Sequence, residues 1–364
     1  METIVTGPPA EAGASGATAS FLQSIHPTDL TVISPCASGT DVQADIIFVH
    51  GLMGHPVKTW LYGPLDGSAE GSHPRSRLSR LFKPKKQAET SPSNLYWPLF
   101  LSRVGNFRIM TYGYDSHPIH FFSPTNQMSI TNHAEQLMIK VNWKRVNCAG
   151  RPIIFVSHSL GGILVKAAIN ESSRSTGSAS DLAKSCRAIF FFGTPHMGSS
   201  AAQFGVFLKN IISVLPLGPD IEDKILRGLS PGSQDLYNIT RDFNSIIDKD
   251  TARRLKICCI QEGSAISGVK GFARKIVPDD SSCLNRREVE KKFFVQNANH
   301  MAMCRFRSPD EPGYRDFCSQ LLEYVQELEV EKAAEEERKR AMAREKSMEE
   351  GAIANEAQQR KFST

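Results

Sequence analysis

Ser157-His158-Ser159-Leu160-Gly161-Gly162 lies between two apolar runs, residues 153–156 and residues 163–169. The first run is β-branched and aromatic and reads as a buried strand; the second has the composition and spacing of a helix. A serine set on a sharp strand-to-helix turn is a nucleophile elbow, built to attack an acyl carbon. The turn imposes a strained backbone on the serine. Residues two before and two after it must be small, or their side chains would collide with the start of the helix. Ser157 and Gly161 meet that demand, with a serine standing where such turns usually carry glycine. The helix N-terminus behind Ser159 offers free N–H groups and a positive dipole end, which favour a developing oxyanion.

A serine nucleophile needs a base to take its proton and an acid to orient that base. On elbows of this kind the chain order is serine, acid, histidine. Only two histidines follow Ser159, namely His196 and His300. His300 comes directly after a strand-like stretch, residues 292–295, and is the expected base. His196 sits in a Thr-Pro-His turn after residues 187–192 and reads as a structural residue near the site. For the acid, Glu262 ends the strand expected over residues 255–260 and is the first choice. Asp279 and Asp280 are alternatives, since a short edge strand at 276–277 would bring them toward His300. Two backbone N–H groups must also converge on the oxyanion. Leu160 supplies one, and Leu52 in His50-Gly51-Leu52-Met53-Gly54, after the strand expected at 45–49, supplies the other.

The remaining chain has to hold these residues in place. It has 364 residues, 40% of them hydrophobic, which suffices for one large core. Strand-like stretches at 45–49, 107–112, 153–156, 187–192, 255–260 and 292–295 alternate with helical ones at 130–141, 204–215 and 314–328. That alternation predicts a mostly parallel sheet in a three-layer α/β arrangement. Residues 1–40, rich in Ala, Gly, Ser, Pro and Thr, read as a flexible leader. The expected catalytic domain spans 41–328, with a polar surface insertion at 63–94. The basic stretch in that insertion, Arg75 to Lys86, reads as a solvated loop, or more sharply as a contact for anionic lipid or a nuclear-import signal. Residues 329–364 read as a charged helical or disordered tail.

Composition excludes several classes. The formal net charge of +5 is too mild to imply nucleic acid. No run of 18 apolar residues predicts a membrane span, and no secretory signal is visible at the start. Together they predict a cytoplasmic protein that is not secreted. The eight cysteines show no CxxC pair and no metal-type spacing, so reduced thiols are expected and no cofactor or metal is implied. His117 and His120, three apart in a Pro-containing loop, are too little for a metal site.

Several segments together resemble the hydrolase domain of the serine active site-containing protein family, and more loosely the GPI inositol-deacylase-like and lipase-like serine hydrolases. They are residues 47–54, Trp97-Pro98, residues 108–115, residues 155–162, residues 191–198 and residues 299–304. The same domain type heads many fungal proteins that carry NTPase and repeat modules. The resemblance covers about residues 45–326. It implies an α/β-hydrolase fold, Ser159 and His300 as catalytic positions, and ester hydrolysis or acyl transfer on a lipid-like ester. It also implies association with mitochondrial or endoplasmic-reticulum membranes. The chain departs from the common lipase pattern where Arg274-Lys275 stand in place of an aspartate shortly before Val277-Pro278. That departure favours Glu262, with Asp279 and Asp280 still open as the acid.

Three functional readings follow. The leading one is a serine esterase working through an acyl-enzyme, with Met53, Phe121, Phe122, Phe204 and Phe207 as candidates for an acyl pocket. The second is a catalytically silent hydrolase-fold module for interaction or signalling. The third is a lipid-remodelling acyltransferase that uses the same residues with an alcohol as acceptor. Reactivity of Ser159 separates the second from the other two, and product analysis separates the first from the third.

Overall fold

The computed structural model describes residues 16–35, 41–63, 95–118, 129–196, 201–215, 219–250, 254–266 and 274–362. Nine strands occur among them: β1 (Leu30–Ser34), β2 (Ala44–Val49), β3 (Leu61–Tyr62), β4 (Leu95–Tyr96), β5 (Phe107–Tyr112), β6 (Ile153–His158), β7 (Cys186–Phe192), β8 (Lys256–Glu262) and β9 (Glu290–Val295). The helices are α1 (Gly16–Ser24), α2 (Ile130–Lys144), α3 (Leu160–Arg174), α4 (Asp181–Ser185), α5 (Ala201–Ile212), α6 (Pro219–Lys249) and α7 (Pro312–Phe362). Seven strands form one sheet in the order β1-β5-β2-β6-β7-β8-β9. Only the β1–β5 pair is antiparallel. The expected mixed α/β architecture with a mostly parallel central sheet is the one observed, and it is that of the α/β-hydrolase fold.

The strand order places the site. From β2 the chain steps outward to β5, then crosses back over β2 to β6. Strand order therefore reverses between β2 and β6, and open α/β sheets hold their ligands in the crevice beyond the carboxyl ends of such strands. β2 runs out into His50-Gly51, and β6 runs out into Ser159.

Side-chain alternation covers both faces of the sheet. Ile47 and Val49, Phe155, and Ile189 and Phe191 point to one face, where they join Leu137 and Val141 of α2 and Ile163 and Leu164 of α3 in one buried cluster. Phe48, Phe190 and Phe192 point to the other. There Phe48 meets Trp97 at 5.1 Å between ring centroids, and Phe190 meets Phe317 at 4.7 Å. Trp97 also donates from Nε1 to the Cys304 carbonyl at 2.8 Å. At the amino end of β2, the fully buried Asp45 accepts from Arg108 Nη2 at 2.6 Å, from Arg151 Nη1 at 3.1 Å, and from Arg145. Those three contacts tie together the ends of β2, β5 and β6 farthest from the crevice.

Three expectations change. The segment read as a leader contains α1 and β1, whose Phe21, Leu22, Leu30 and Ile33 are buried. A compositional average over 40 residues hides these short apolar pieces. The helix expected at 204–215 is present as α5, but residues 219–250, to which the sequence reading assigned no helix, contain the 31-residue α6. Ser230-Pro231-Gly232 reads as a break in the sequence. Leu236, Phe243 and Ile247, which recur on one helix face and join the core cluster, outweigh that local signal. The 276–277 edge strand is not formed; both residues are buried in irregular chain. Residues 64–94 of the expected insertion lie outside the described residues.

The chain divides into two units, Met1–Ser319 and Gln320–Thr364. In the second, residues 331–350 are exposed along one helix, with i,i+4 pairs such as Lys339–Glu335 at 2.9 Å. Among the described residues no helix is long and apolar enough to cross a membrane.

Candidate active site

Ser159 sits at φ 54°, ψ −127°, between the last residue of β6 and the first of α3. A serine in this region stores on the order of 1–3 kcal/mol of strain, so its surroundings must over-determine it. They do so on both sides of the peptide chain. Ser159 N–H donates to the Phe192 carbonyl at 2.8 Å, and its own carbonyl accepts from Thr194 Oγ1 at 3.0 Å and from Gly162 N at 3.0 Å. The small flanking residues are required sterically. A Cβ on Gly161 would stand 2.2 Å from the His50 carbonyl oxygen, and one on Gly51 would stand 2.7 Å from the Ser159 Cβ.

The structure brings Ser159, His300 and Glu262 together. Ser159 Oγ lies 2.9 Å from His300 Nε2, and His300 Nδ1 lies 2.9 Å from Glu262 Oε1. Glu262 is the last residue of β8, and His300 follows β9 by five residues, so neighbouring strands present both. The carboxylate is held in turn by backbone. Ile276 N–H donates to Oε2 at 3.0 Å and Val277 N–H to Oε1 at 2.9 Å. All three side chains are buried, Ser159 at 1%, Glu262 at 1% and His300 at 0% exposure. Asp279 and Asp280 are exposed, and Asp279 pairs with Lys275 at 2.6 Å instead of approaching His300.

Leu160 opens α3, and Leu52 follows Gly51 in a tight turn closed by Gly54 N–H to the Gly51 carbonyl at 3.0 Å. The N–H groups of Leu52 and Leu160 have no acceptor among the described residues.

Two histidines that the sequence reading left without a role frame this arrangement. His50 is fully buried and stacks on Tyr114 at 4.5 Å and 7°. Burial lowers its pKa to about 4, so it stands neutral. Its Nδ1–H donates to the Gly51 carbonyl at 3.0 Å, and Nε2 accepts from Tyr114 N–H at 3.4 Å. His50 thereby fixes the turn that carries Leu52. His158 donates from Nε2 to the His300 carbonyl at 2.9 Å, and its ring lies 4.8 Å from the His300 ring. Burial, and then the nearby His300, hold its pKa well below the usual imidazole value. A buried neutral imidazole with its donor aimed at the backbone of His300 positions that residue. The signal was present in the quoted motif: His158 sits beside Ser159, at the crevice end of β6.

His196 lies apart from Ser159, His300 and Glu262. Its ring packs edge-on against Phe191 at 4.6 Å, its backbone N–H donates to the Ser281 carbonyl at 2.7 Å, and its Nε2 is 3.4 Å from Cys259 Sγ. Of the acyl-pocket candidates, Phe204 and Phe207 are buried and line an apolar cavity of about 250 Å³ with Pro195, Val277 and Pro278. Met53 is 38% exposed, while Phe121 and Phe122 lie outside the described residues.

No family model matches the chain. Among curated proteins, Protein SERAC1 of Danio rerio is 27% identical over 274 residues, covering 71% of this chain and 38% of that protein. Protein SERAC1 of Homo sapiens is 28% identical over 206 residues, covering 56% of this chain and 28% of that protein. The chain thus spans less than two fifths of the length of the relatives it matches. Among solved structures, the lipase BlEst2 of Bacillus licheniformis aligns with a TM-score of 0.45 at 14% identity, covering 80% of this chain and 99% of that one. Esterase B of Lactobacillus rhamnosis aligns with a TM-score of 0.43 at 13% identity, covering 85% of this chain and 82% of that one.

Proposed function

We propose that this chain is a serine hydrolase that cleaves carboxylic esters through an acyl-enzyme. The observation that carries the reading is the continuous line from Ser159 Oγ to His300 Nε2 and from His300 Nδ1 to Glu262 Oε1, each step 2.9 Å. Such a line lets His300 take the serine proton as Oγ bonds to the acyl carbon. Glu262, with two backbone N–H groups on its oxygens, keeps the Nδ1 proton on the far side of the ring. Nε2 is then the nitrogen free to accept. The negative charge that forms on the carbonyl oxygen meets the unpaired N–H groups of Leu52 and Leu160. As the tetrahedral species collapses, the proton on Nε2 passes to the departing alcohol. The acyl group stays on Ser159 until a water, activated by the same nitrogen, releases it as the acid.

A hydrophobic, lipid-like ester is the proposed substrate class. The apolar cavity beside the triad's acid supports it, because Val277 both holds Glu262 and lines that cavity. An alcohol in place of the final water would make the same residues an acyltransferase, so products are to be analysed with and without added alcohol or lysolipid.

The direct test is labelling by a fluorophosphonate probe, wild type beside Ser159→Ala. Labelling that vanishes in the variant, followed by turnover of esters of graded chain length, is the expected result. A folded wild type that takes no label, alone or with lipid vesicles, would overturn the reading in favour of a silent interaction module.

A further inference from the structure

The apolar cavity of about 250 Å³ beside Val277 holds one buried polar side chain that the fold leaves unanswered. Gln203, Phe204, Phe207 and Asn210 line it from α5, at spacings that set them along one side of the helix. Among the described residues of α5 the other buried positions are apolar: Phe204, Phe207, Leu208, Ile211 and Ile212. Asn210 is only 4% exposed in their company. An amide at such a position loses its hydration and must regain it as hydrogen bonds. The chain supplies one, from Nδ2 to the Ile276 carbonyl at a long 3.4 Å. That contact sets the amide's orientation, since an oxygen in its place would face another oxygen. Oδ1 and the second Nδ2 proton are left without a partner among the described residues. Oδ1 is nonetheless not sealed into the packing, as Trp60 Nε1 and Asn170 Oδ1 are. It meets open space, and the space that Asn210 borders is this cavity.

The rest of the lining decides what fits. Pro195 and Pro278 have no N–H, and Val277 N–H is spent on Glu262 Oε1 at 2.9 Å, so these three offer a ligand no backbone donor. Phe204 and Phe207 add ring surface. Gln203, Val206 and Asp280 are exposed and form the rim. The Asp280 carboxylate is the only ionisable group in the lining. Lys209 and Lys275 stand close by in sequence but do not line the cavity, and Lys275 pairs with Asp279 at 2.6 Å. An anion therefore meets a like charge at the entrance. The cavity is smaller than the roughly 300–1,000 Å³ of sites for drug-sized molecules, so its occupant is smaller too.

We propose that this cavity binds a small aliphatic alcohol, with the chain against Phe204, Phe207 and Val277 and the hydroxyl against Asn210. A hydroxyl can accept from Nδ2 and donate to Oδ1. A carboxylate only accepts, and it would also have to pass Asp280. An ether only accepts. An ammonium only donates, and it would carry its charge in among phenyl rings and prolines without a paired carboxylate. The site is independent of the esterase reading, because neither an ester nor a reactive Ser159 is needed to fill it.

Saturation-transfer NMR titration of the full chain with hexan-1-ol tests this, beside hexanoate, hexylammonium and methyl pentyl ether. Saturable binding of the alcohol is expected, tighter than each comparator by about tenfold or more. Asn210→Leu keeps the volume and removes the amide. It should weaken hexan-1-ol by about tenfold and leave the ether at or above its wild-type affinity. Asp280→Lys, on the exposed rim, is the second variant, since it puts no core packing at stake. It should move the ratio of hexanoate to hexylammonium affinity by about tenfold toward hexanoate, with the alcohol unchanged. Ser159→Ala should bind the alcohol as the wild type does, whatever its labelling shows. Circular dichroism and melting temperature certify the fold of each protein. The absence of saturable alcohol binding to folded wild type would overturn the proposal. So would a comparator that binds as tightly as the alcohol, an Asn210→Leu protein that keeps full affinity, or an Asp280→Lys protein whose charge preference does not move.

Discussion

His300 and His196 both follow strands of one sheet and both are buried, yet their surroundings differ in kind. Around His300 each polar atom is answered: Nε2 by Ser159, Nδ1 by Glu262, the backbone carbonyl by His158, and the far carboxylate oxygen by Ile276 N–H. Around His196 half the imidazole is answered, by Cys259, while Nδ1, like Thr240 Oγ1 and Asn244 Oδ1, is buried with no hydrogen-bond partner among the described residues. A closed network fixes one geometry and leaves room only for the reacting group. One with unpaired buried atoms carries their desolvation cost into the folded state. Substitutions in the two regions should therefore act differently: in the first by loss of rate with the fold intact, in the second on stability with the rate intact.

The sharpest break is at the acid. Glu262→Gln keeps the shape but frees His300 to take the wrong tautomer, and an asparagine at the equivalent place in a serine triad lowers kcat about 10⁴-fold. A similar fall in ester turnover is expected, with the melting temperature near that of the wild type. Turnover within tenfold of wild type would show that the 2.9 Å contact to His300 orients nothing that matters. Next is the turn beneath the serine. Gly51→Ala places a Cβ 2.7 Å from the Ser159 Cβ, which moves the Leu52 N–H off the oxyanion. Loss of one donor of this kind typically costs about 10²–10³ in rate, read as a fall in kcat at little changed KM. A smaller effect, about tenfold, is expected for His158→Gln, which can still reach the His300 carbonyl, and a larger one for His158→Leu, which cannot. Equal rates in the two would remove His158 as a positioning residue.

How much of this was legible in the sequence follows from the same contrast. The elbow was readable because a strand, a turn of small residues and a helix each leave a local mark around Ser159. The order of strands gave His300, and the end of β8 gave Glu262. Strand edges at 107–112 were read as they stand, since the flanking Gly105 and Gly113 close the run. What stayed hidden depends on contacts between distant segments. The backbone N–H groups of Ile276 and Val277 come from chain with no strand or helix pattern. β1 is five residues whose pairing with β5 joins positions about 80 apart in sequence. The polar stripe of α6 looks like an ordinary solvated face until His196, 44 or more residues upstream, is placed against it.

Lys166 connects the two regions and gives the smallest expected effect on rate. It lies on α3 two turns past Ser159, fully buried, with Nζ 3.5 Å from the Pro195 carbonyl and over the faces of Phe191 and Phe243 at 5.5 and 5.8 Å. One long hydrogen bond and two ring faces replace little of an ammonium's hydration. Burial accordingly lowers its pKa from 10.5 to about 7. The folded value lies below the unfolded one, so between about pH 7 and 10.5 the unfolded chain binds more protons and stability rises with pH. Below about pH 7 the full cost of the buried charge is present. Lys166→Met fills the same space without that charge and is expected to be more stable than wild type at pH 6 by about 1–4 kcal/mol. The gap should close as the pH rises toward 10. Urea unfolding of both proteins at pH 6 and pH 9 measures it, and taking the difference cancels the titrating groups that Lys166 does not influence. Ester turnover should change less than about threefold, because Lys166 touches neither Ser159 nor His300. A variant less stable than wild type at pH 6 would mean that the ammonium is better satisfied than its neighbours indicate. His196, whose low proton affinity owes part of its origin to that charge, would then need another account.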